Sequence, residues 1–329
     1  MTESPIITLI LTVRNRYELL GRTLRSIAAQ TFTGFNLIIV DNGSTDAAPQ
    51  IIDRWVEANA NRFSSVTVLK ESIAGASVAR NCGLGHVTTD YVMYFDSDDE
   101  MLPDHISRID NYLRSKPQTR ILRWDIGILS SDGWLEVKTH PTECDLSLQI
   151  IHSPLSTQRF AVSTALLNEA GGWDEELNVW IDWELGCRLI LSGAEVKYLT
   201  GEPTVIVHPS DDSITGKSWS AHAKNHETAL DKVRKQIEQK HASASDTEDD
   251  DKDFNRFLLT LDAKRAAAAG MYRREGNKVI ANRTLQKACS KHNLKHRLAL
   301  RSIYTATRLS GHGLSALSSI FFPKKRVKE

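Results

Sequence analysis

No stretch of this 329-residue chain approaches the ~18 consecutive apolar residues that mark a membrane span, so a spanning helix is not expected. Charge of one sign is also missing. The 41 Lys and Arg residues are matched by 41 Asp and Glu, and without a global basic field nucleic acid is not an expected partner. Cysteine is scarce: Cys82, Cys144, Cys187 and Cys289 have no paired spacing, and reduced thiols in a cytoplasmic compartment are the simplest account. The first apolar strand starts almost at the N-terminus, so a signal peptide is not expected. What remains is an ordinary globular composition, 41% hydrophobic.

The most informative segment is Tyr91-Val92-Met93-Tyr94-Phe95-Asp96-Ser97-Asp98-Asp99, where an apolar strand stops and hands over three closely spaced carboxylates. Carboxylates this close repel one another and stay ionised together only beside a cation. Hard oxygen donors suit Mg2+ or Mn2+. Mg2+ takes one or two carboxylates and completes its shell with phosphate oxygens and water, which points to a nucleoside diphosphate compound. The other reading of these residues is an acidic turn capping the helix expected after Pro103.

Upstream, Ile6 to Thr12 is almost wholly apolar, as in a strand covered on both faces. Leu20, Leu24, Ile27 and Ala28 recur at helical spacing, and the apolar run Phe35 to Val40 ends in Asp41-Asn42-Gly43-Ser44-Thr45-Asp46. This strand, helix, strand order predicts a parallel sheet with ligands at the carboxyl ends of its strands. Polar residues stand at three such ends, Thr12 to Arg16, Asp41 to Asp46 and Asp96 to Asp99, with Val66 to Leu69 a further strand between the last two.

Six segments, in order, carry a resemblance. They are Ile6 to Arg16 with its Thr-Val-Arg-Asn-Arg ending, Val40 to Asp46, Gly75-Ala76-Ser77-Val78-Ala79-Arg80-Asn81-Cys82-Gly83, Asp96 to Asp99, Gly171-Gly172-Trp173-Asp174-Glu175, and Asp182-Trp183-Glu184-Leu185. Together they resemble the family 2 glycosyltransferases with a GT-A fold, over roughly residues 5 to 208.

The resemblance implies a nucleotide-sugar site of Thr12, Arg14, Asp41, Arg80, Asp96, Ser97 and Asp98, with Mn2+ or Mg2+ on Asp96, Asp98, Asp99 and His208. The fixed charge and fork of Arg80 suit phosphate, and the alternative is a salt bridge to a neighbouring carboxylate. Arg14 stands where the family often has an aromatic residue on the base; a guanidinium also stacks, and uracil is the family's usual base. Asp182 matches the general base of inverting members, with Ile181 where an acid is usual. Its alternative role is an N-cap for the helix that follows, and Glu184 would point away from it. Trp173, Asp174 and Trp183 match the acceptor loop, although Trp also serves in cores and pocket walls. His208 is read either as a metal or diphosphate ligand or as a hydrogen-bonded structural residue. The polar stretch Ser210 to Ser220 has the composition of a lid.

Beyond this the chain changes character. Residues 246 to 253 are acidic and read as a solvated linker or a helix start, followed by helical patterns over Phe254 to Met271, Val279 to Cys289 and Leu298 to Leu309. From Lys295 to Glu329 eight basic residues face a single acid, interleaved with Leu298, Leu300, Ile303, Tyr304, Leu309, Leu314, Leu317, Ile320, Phe321 and Phe322. A basic amphipathic tail suits an anionic membrane surface; packing on its own domain and a homo-oligomer interface are the other uses.

The expected architecture is α/β, a GT-A domain over residues 1–215 (nucleotide-sugar part about 1–100, acceptor part about 101–215) and a helical C-terminal region over residues 216–329. The expected function is metal-dependent, inverting transfer of a sugar from a UDP-sugar to a hydroxyl of a glycan or lipid-linked saccharide, in the cytoplasm or on the inner face of the membrane. Two rivals are a catalytically silent nucleotide-binding or scaffolding module and a sugar nucleotidyltransferase. The latter's usual Gly-rich phosphate loop after the first strand is missing.

Overall fold

The computed structural model describes residues 4–130, 132–209, 218–243, 247–312 and 325–328. Its strands are β1 (Ile7–Val13), β2 (Asn36–Asp41), β3 (Ser65–Lys70), β4 (Tyr91–Asp96), β5 (Glu100–Met101), β6 (Ile121–Arg123), β7 (Ile126–Leu129), β8 (Trp134–Lys138), β9 (Phe160–Ser163), β10 (Val196–Tyr198), β11 (Val205–Val207) and β12 (Lys325–Lys328). The helices are α1 (Tyr17–Ala28), α2 (Ala48–Asn59), α3 (Ala76–Leu84), α4 (His105–Ser115), α5 (Leu146–His152), α6 (Thr164–Glu169), α7 (Ile181–Leu191), α8 (Ala223–Ala242), α9 (Glu248–Arg274), α10 (Lys278–Cys289) and α11 (Leu294–Ser310).

The central sheet runs β10-β6-β9-β4-β1-β2-β3. Strands β1 to β4 are mutually parallel where they pair, and β9 enters antiparallel between β4 and β6. A smaller sheet, β12-β8-β7-β11-β5, stands beside it.

The apolar run of β1 is explained by burial on both faces. Leu9 and Leu11 pack with Leu20, Leu24 and Ile27 of α1 and with Ile106 and Ile109 of α4. Ile10 packs on the opposite face with Ala79 of α3 and Leu185 and Leu189 of α7. Each such side chain contributes about 1.5–3 kcal/mol by leaving water, so the sheet order is fixed by where these helices find apolar surface. Gly83 lets α3 approach closely: a Cβ there would lie 2.7 Å from Ile10 Cγ2. That approach brings α3, and Arg80 on it, over the carboxyl end of β4.

The C-terminal helices form one packed unit with this domain. Leu146 and Ile150 of α5, Trp183 and Cys187 of α7, Leu230, Val233 and Ile237 of α8 and Leu261 of α9 share one buried cluster. The acidic stretch proves to be a helix start, with the Thr247 hydroxyl accepting from the Asp250 N–H and acids filling the first turn of α9. Helix α11 crosses α9 at Gly270. The four cysteines are free thiols. Among the described residues no helix is long and apolar enough to cross a membrane.

Candidate functional site

Strand register brings the predicted residues together. Thr12 pairs across to Val40 on one side and to Asp96 on the other, and Val13 pairs with Asp41, so Thr12, Asp41 and Asp96 share one end of the sheet. The loops there are tied by their own polar side chains. Asp41 is buried and its Oδ1 accepts the Ser44 N–H at 3.0 Å. Asn15, with φ 50°, accepts the Thr45 N–H at 2.8 Å, and Asn42 Oδ1 accepts the Gly75 N–H at 2.9 Å. Thr12 is half-buried, Arg14 is exposed at the rim and Ser97 is buried.

Arg80 reaches over the end of β4. Its Nη2 donates to Asp96 Oδ1 at 2.9 Å while its guanidinium lies 4.3 Å from the centre of the Trp173 ring. Its Nε and Nη1 are buried, and among the described residues neither has a hydrogen-bond acceptor. A guanidinium with two donors unused inside a site is prepared for an incoming anion.

The three carboxylates have different environments. Asp96 Oδ2 accepts from the Gln158 amide at 2.8 Å. Asp98 has Arg16 Nε at 3.8 Å, and the Arg22 Nη2 donates to its carbonyl. Burial, then the Asp96 charge, pushes Asp98 above the usual carboxylate range. Asp99 is buried and pushed up to about 8 by the same two causes. Its Oδ1 accepts the His208 N–H at 3.0 Å and its Oδ2 accepts from Gln158.

The expected four-residue metal set is therefore not formed. Asp99 is engaged by protein donors on both oxygens, and the His208 ring turns its Nε2 to Glu100 at 3.3 Å. Among the described residues no three His, Cys, Asp or Glu side chains converge on a metal position. Asp96 and Asp98 remain, both partly open and both oxygen donors. That pair fits an ion that takes two carboxylates and draws its other ligands from phosphate and water, as Mg2+ and Mn2+ do.

Asp182 sits in the first turn of α7. Its Oδ1 accepts the Trp183 N–H at 2.8 Å. The N-cap position belongs instead to Trp180, whose φ of 56° is left-handed, so the capping role does not fall to Asp182. Burial raises its pKa, the Arg80 charge lowers it and the Asp96 charge raises it, so the carboxylate faces both groups. Glu184 is fully buried, paired to Arg188 at 2.8 and 2.9 Å and bonded by the Gln236 amide.

The expected acceptor residues are placed differently. Trp173 and Trp183 are only 2% and 1% exposed, Trp173 edge-on to Tyr94 and Trp183 donating its Nε1–H to the Ile150 carbonyl at 3.1 Å. Neither ring offers a face to a sugar, because the apolar surface of each is already covered. Asp174 is bound by Lys232 of α8 at 2.6 Å. The half-buried Trp180 instead stands at the site, with its ring 5.3 Å from that of Trp183, and Lys264 of α9 places its Nζ 4.8 and 5.0 Å from the two ring centres. Burial pulls Lys264 down to about 8.

Gln158, Arg16, Arg22 and Lys264 are site residues that sequence reasoning missed. Arg16 ends the Thr-Val-Arg-Asn-Arg segment and was within reach; the other three lie in stretches without a motif. The lid expected over Ser210 to Ser220 lies largely outside the described residues, as does most of the basic tail beyond residue 312.

Residues 8–137 match the model of Glycosyl transferase family 2. Glycosyltransferase GlyA of Streptococcus pneumoniae serotype 4 is 33% identical over 103 residues, 31% of this chain and 14% of that protein. The chain spans less than a third of the length of the first curated relatives it matches, 14%, 29% and 30%. In solved structures, S. aureus TarS 1-349 in complex with UDP superposes with a TM-score of 0.61 at 16% identity, covering 96% of this chain and 91% of that one. Mannosyltransferase PcManGT from Pyrobaculum calidifontis, in complex with GDP-Man and Mn2+, gives 0.55 at 17% identity, covering 98% and 89%. The fold is that of the GT-A glycosyltransferases.

Proposed function

Since residues 8–137 belong to glycosyltransferase family 2, we propose that the chain transfers a glycosyl group from a nucleotide sugar, with UDP as its nucleotide, to a hydroxyl of a glycan or lipid-linked saccharide. The observation that carries this reading is the convergence of Thr12, Asp41 and Asp96 at one sheet end beneath Arg80, whose Nε and Nη1 have no acceptor among the described residues.

Asp41 accepts hydrogen bonds from the base or ribose, and Arg80 directs its unused donors at the diphosphate. Asp96 and Asp98 would hold Mg2+ or Mn2+, which would supply positive charge to offset the leaving diphosphate. Gln158 keeps Asp96 and Asp99 oriented through one amide. Asp182 takes the proton of the acceptor hydroxyl, and its raised pKa strengthens it as a base. A single base behind the acceptor gives direct displacement with inversion. UDP is favoured because the TarS structures carry UDP and UDP-GlcNAc; GDP is the competitor, given GDP-Man in PcManGT.

A place on the inner membrane face is supported by α11. Leu294, Leu298 and Leu309 are exposed on it beside Lys295, Arg297, Arg301 and Arg308.

Calorimetric titration of UDP, GDP and ADP, with and without Mn2+, on the wild type and Asp98→Ala tests the reading. One nucleotide binding only with metal, and not in the variant, is the expected result. No binding under any condition would leave the acidic cluster as a structural turn and favour a scaffolding role.

A further inference from the structure

We infer that Asn81 is a positioning residue for the nucleotide diphosphate: it clamps the backbone of Trp173, and the Trp173 ring in turn fixes the direction in which Arg80 presents its Nε and Nη1. The inference rests on the glycosyl-transfer reading above and adds to it a residue that acts through its neighbours rather than on substrate. The Asn81 Nδ2 donates to the Trp173 carbonyl and to Glu175 Oε1, each at 2.8 Å, and its Oδ1 accepts the Trp173 N–H at 2.8 Å. Both amide hydrogens and the amide oxygen are thus engaged. The Trp173 N–H needs an acceptor, which leaves the amide one orientation.

The loop before Trp173 is shaped to meet this amide. Gly171 and Gly172 have φ of 81° and 68°, left-handed values that glycine adopts without strain. A Cβ on Gly172 would also lie 2.7 Å from Asn81 Oδ1, so the loop closes on the amide only with glycine there. The Trp173 side chain is buried and edge-on to Tyr94, with ring centres 5.0 Å apart. Tyr94 and Asp96 lie two residues apart on one face of β4, so the indole stands beside the carboxylate that Arg80 pairs with.

Consecutive residues of a helix point about 100° apart, so α3 directs Arg80 to Asp96 and Asn81 to the 171–175 loop. Trp173 joins the two again. Asn81 holds its backbone, and its ring lies 4.3 Å from the Arg80 guanidinium carbon. A guanidinium held by Asp96 through Nη2 alone is free to pivot about that hydrogen bond. The indole face removes this freedom and so decides where Nε and Nη1 point, two buried donors with no acceptor among the described residues. With the clamp opened, Trp173 loses these ties on its N–H and carbonyl, the guanidinium loses its seat, and the ordering must be done when nucleotide binds.

The test is a double-mutant cycle on the full chain: wild type, Asn81→Ala, Arg80→Met and the double variant, each titrated calorimetrically with Mn2+ and whichever of UDP, GDP and ADP the wild type binds. Asn81→Ala should weaken binding about tenfold alone and less than about twofold beside Arg80→Met, because its effect passes through Arg80. Asn81→Asp keeps the acceptor for the Trp173 N–H but turns a carboxylate toward Glu175, and should weaken binding by about as much as Asn81→Ala. Adding Glu175→Gln gives that carboxylate a donor and should recover about threefold. Unchanged affinity in Asn81→Ala, equal losses with and without Arg80, or no recovery on adding Glu175→Gln overturns the inference and leaves Asn81 as a tie that serves folding alone. If Asn81→Ala does not fold, the same cycle built on Asn81→Asp decides. A wild type that binds none of the three nucleotides rejects the transfer reading itself, and the inference with it.

Discussion

Arg80 and Asp96 form an ion pair at 2.9 Å, with the guanidinium stacked on Trp173 and its Nε and Nη1 without an acceptor among the described residues. The pair joins α3 to the end of β4, and it exists because Gly83, one turn later in α3, lets that helix settle on Ile10. A residue held in place by both an anion and an aromatic face is positioned before any ligand arrives, which lowers the ordering cost of binding.

Arg80→Met should therefore weaken binding of the metal-nucleotide complex by roughly 10- to 100-fold, the loss of charge-assisted hydrogen bonds. Arg80→Lys should recover only part, since an ammonium cannot stack and fork at once. Calorimetry on both variants checks this; unchanged affinity in Arg80→Met would confine Arg80 to a structural pair with Asp96.

The sequence was legible where one strand or one short motif carried the information. The apolar runs ending at Thr12, Val40 and Phe95 announced parallel strands, and register did the rest. It was illegible where function depends on contacts across long separations. Gln158 joins Asp96 and Asp99 from 62 and 59 residues away, on a short turn with no pattern. Trp173 and Trp183 match the acceptor loop in sequence, but adjacency in sequence says nothing about which face of a ring is already covered. Helices α5 and α8 escaped for a related reason. The buried stripe of α8, Ala229, Leu230, Val233 and Ile237, is narrow and set among charged residues, so its apolar partners in α7 and α9 define it more than its own periodicity.

Acid should destabilise the fold through buried histidines. His105 is buried with its Nδ1 2.7 Å from the Thr204 hydroxyl, and burial lowers its pKa to about 3. Burial likewise lowers His226 to about 4. Below about 6.5 the unfolded chain takes up protons that the folded chain refuses, so stability falls as pH falls from that value toward the folded pKa. At pH 5 this amounts to about 2 kcal/mol for each histidine. Asp99, pushed up to about 8, acts with the opposite sign, so the difference from His105→Gln is the quantity to read. Urea midpoints at pH 7 and pH 5 should fall less in His105→Gln than in the wild type; equal falls would mean His105 titrates normally.

The crossing of α9 and α11 is equally testable. A Cβ on Gly270 would lie 2.7 Å from the Tyr304 carbonyl oxygen and 2.8 Å from Thr307 Cβ. Alanine normally stabilises a helix over glycine by up to about 1 kcal/mol, but overpacking against backbone costs about 1–3 kcal/mol. Gly270→Ala should thus lower the melting temperature, and a rise would show that α11 is not seated there.

Asp182 offers the sharpest separation of binding from chemistry. Asp182→Asn keeps an oxygen to accept the Trp183 N–H at the start of α7, so the helix and the indole packing behind it remain. What it removes is the basic oxygen. With the acceptor hydroxyl unassisted, kcat for sugar transfer should fall by about 10²–10⁴, the range of a general base, while nucleotide affinity stays within about threefold. Steady-state transfer and nucleotide titration on the same preparation measure both. If transfer persists, the proton goes elsewhere, and Glu184 is a poor substitute: Arg188 occupies both its oxygens and the Gln236 amide bonds one of them, in a setting with no exposure to solvent. An active Asn variant would therefore point to a base supplied by the acceptor itself.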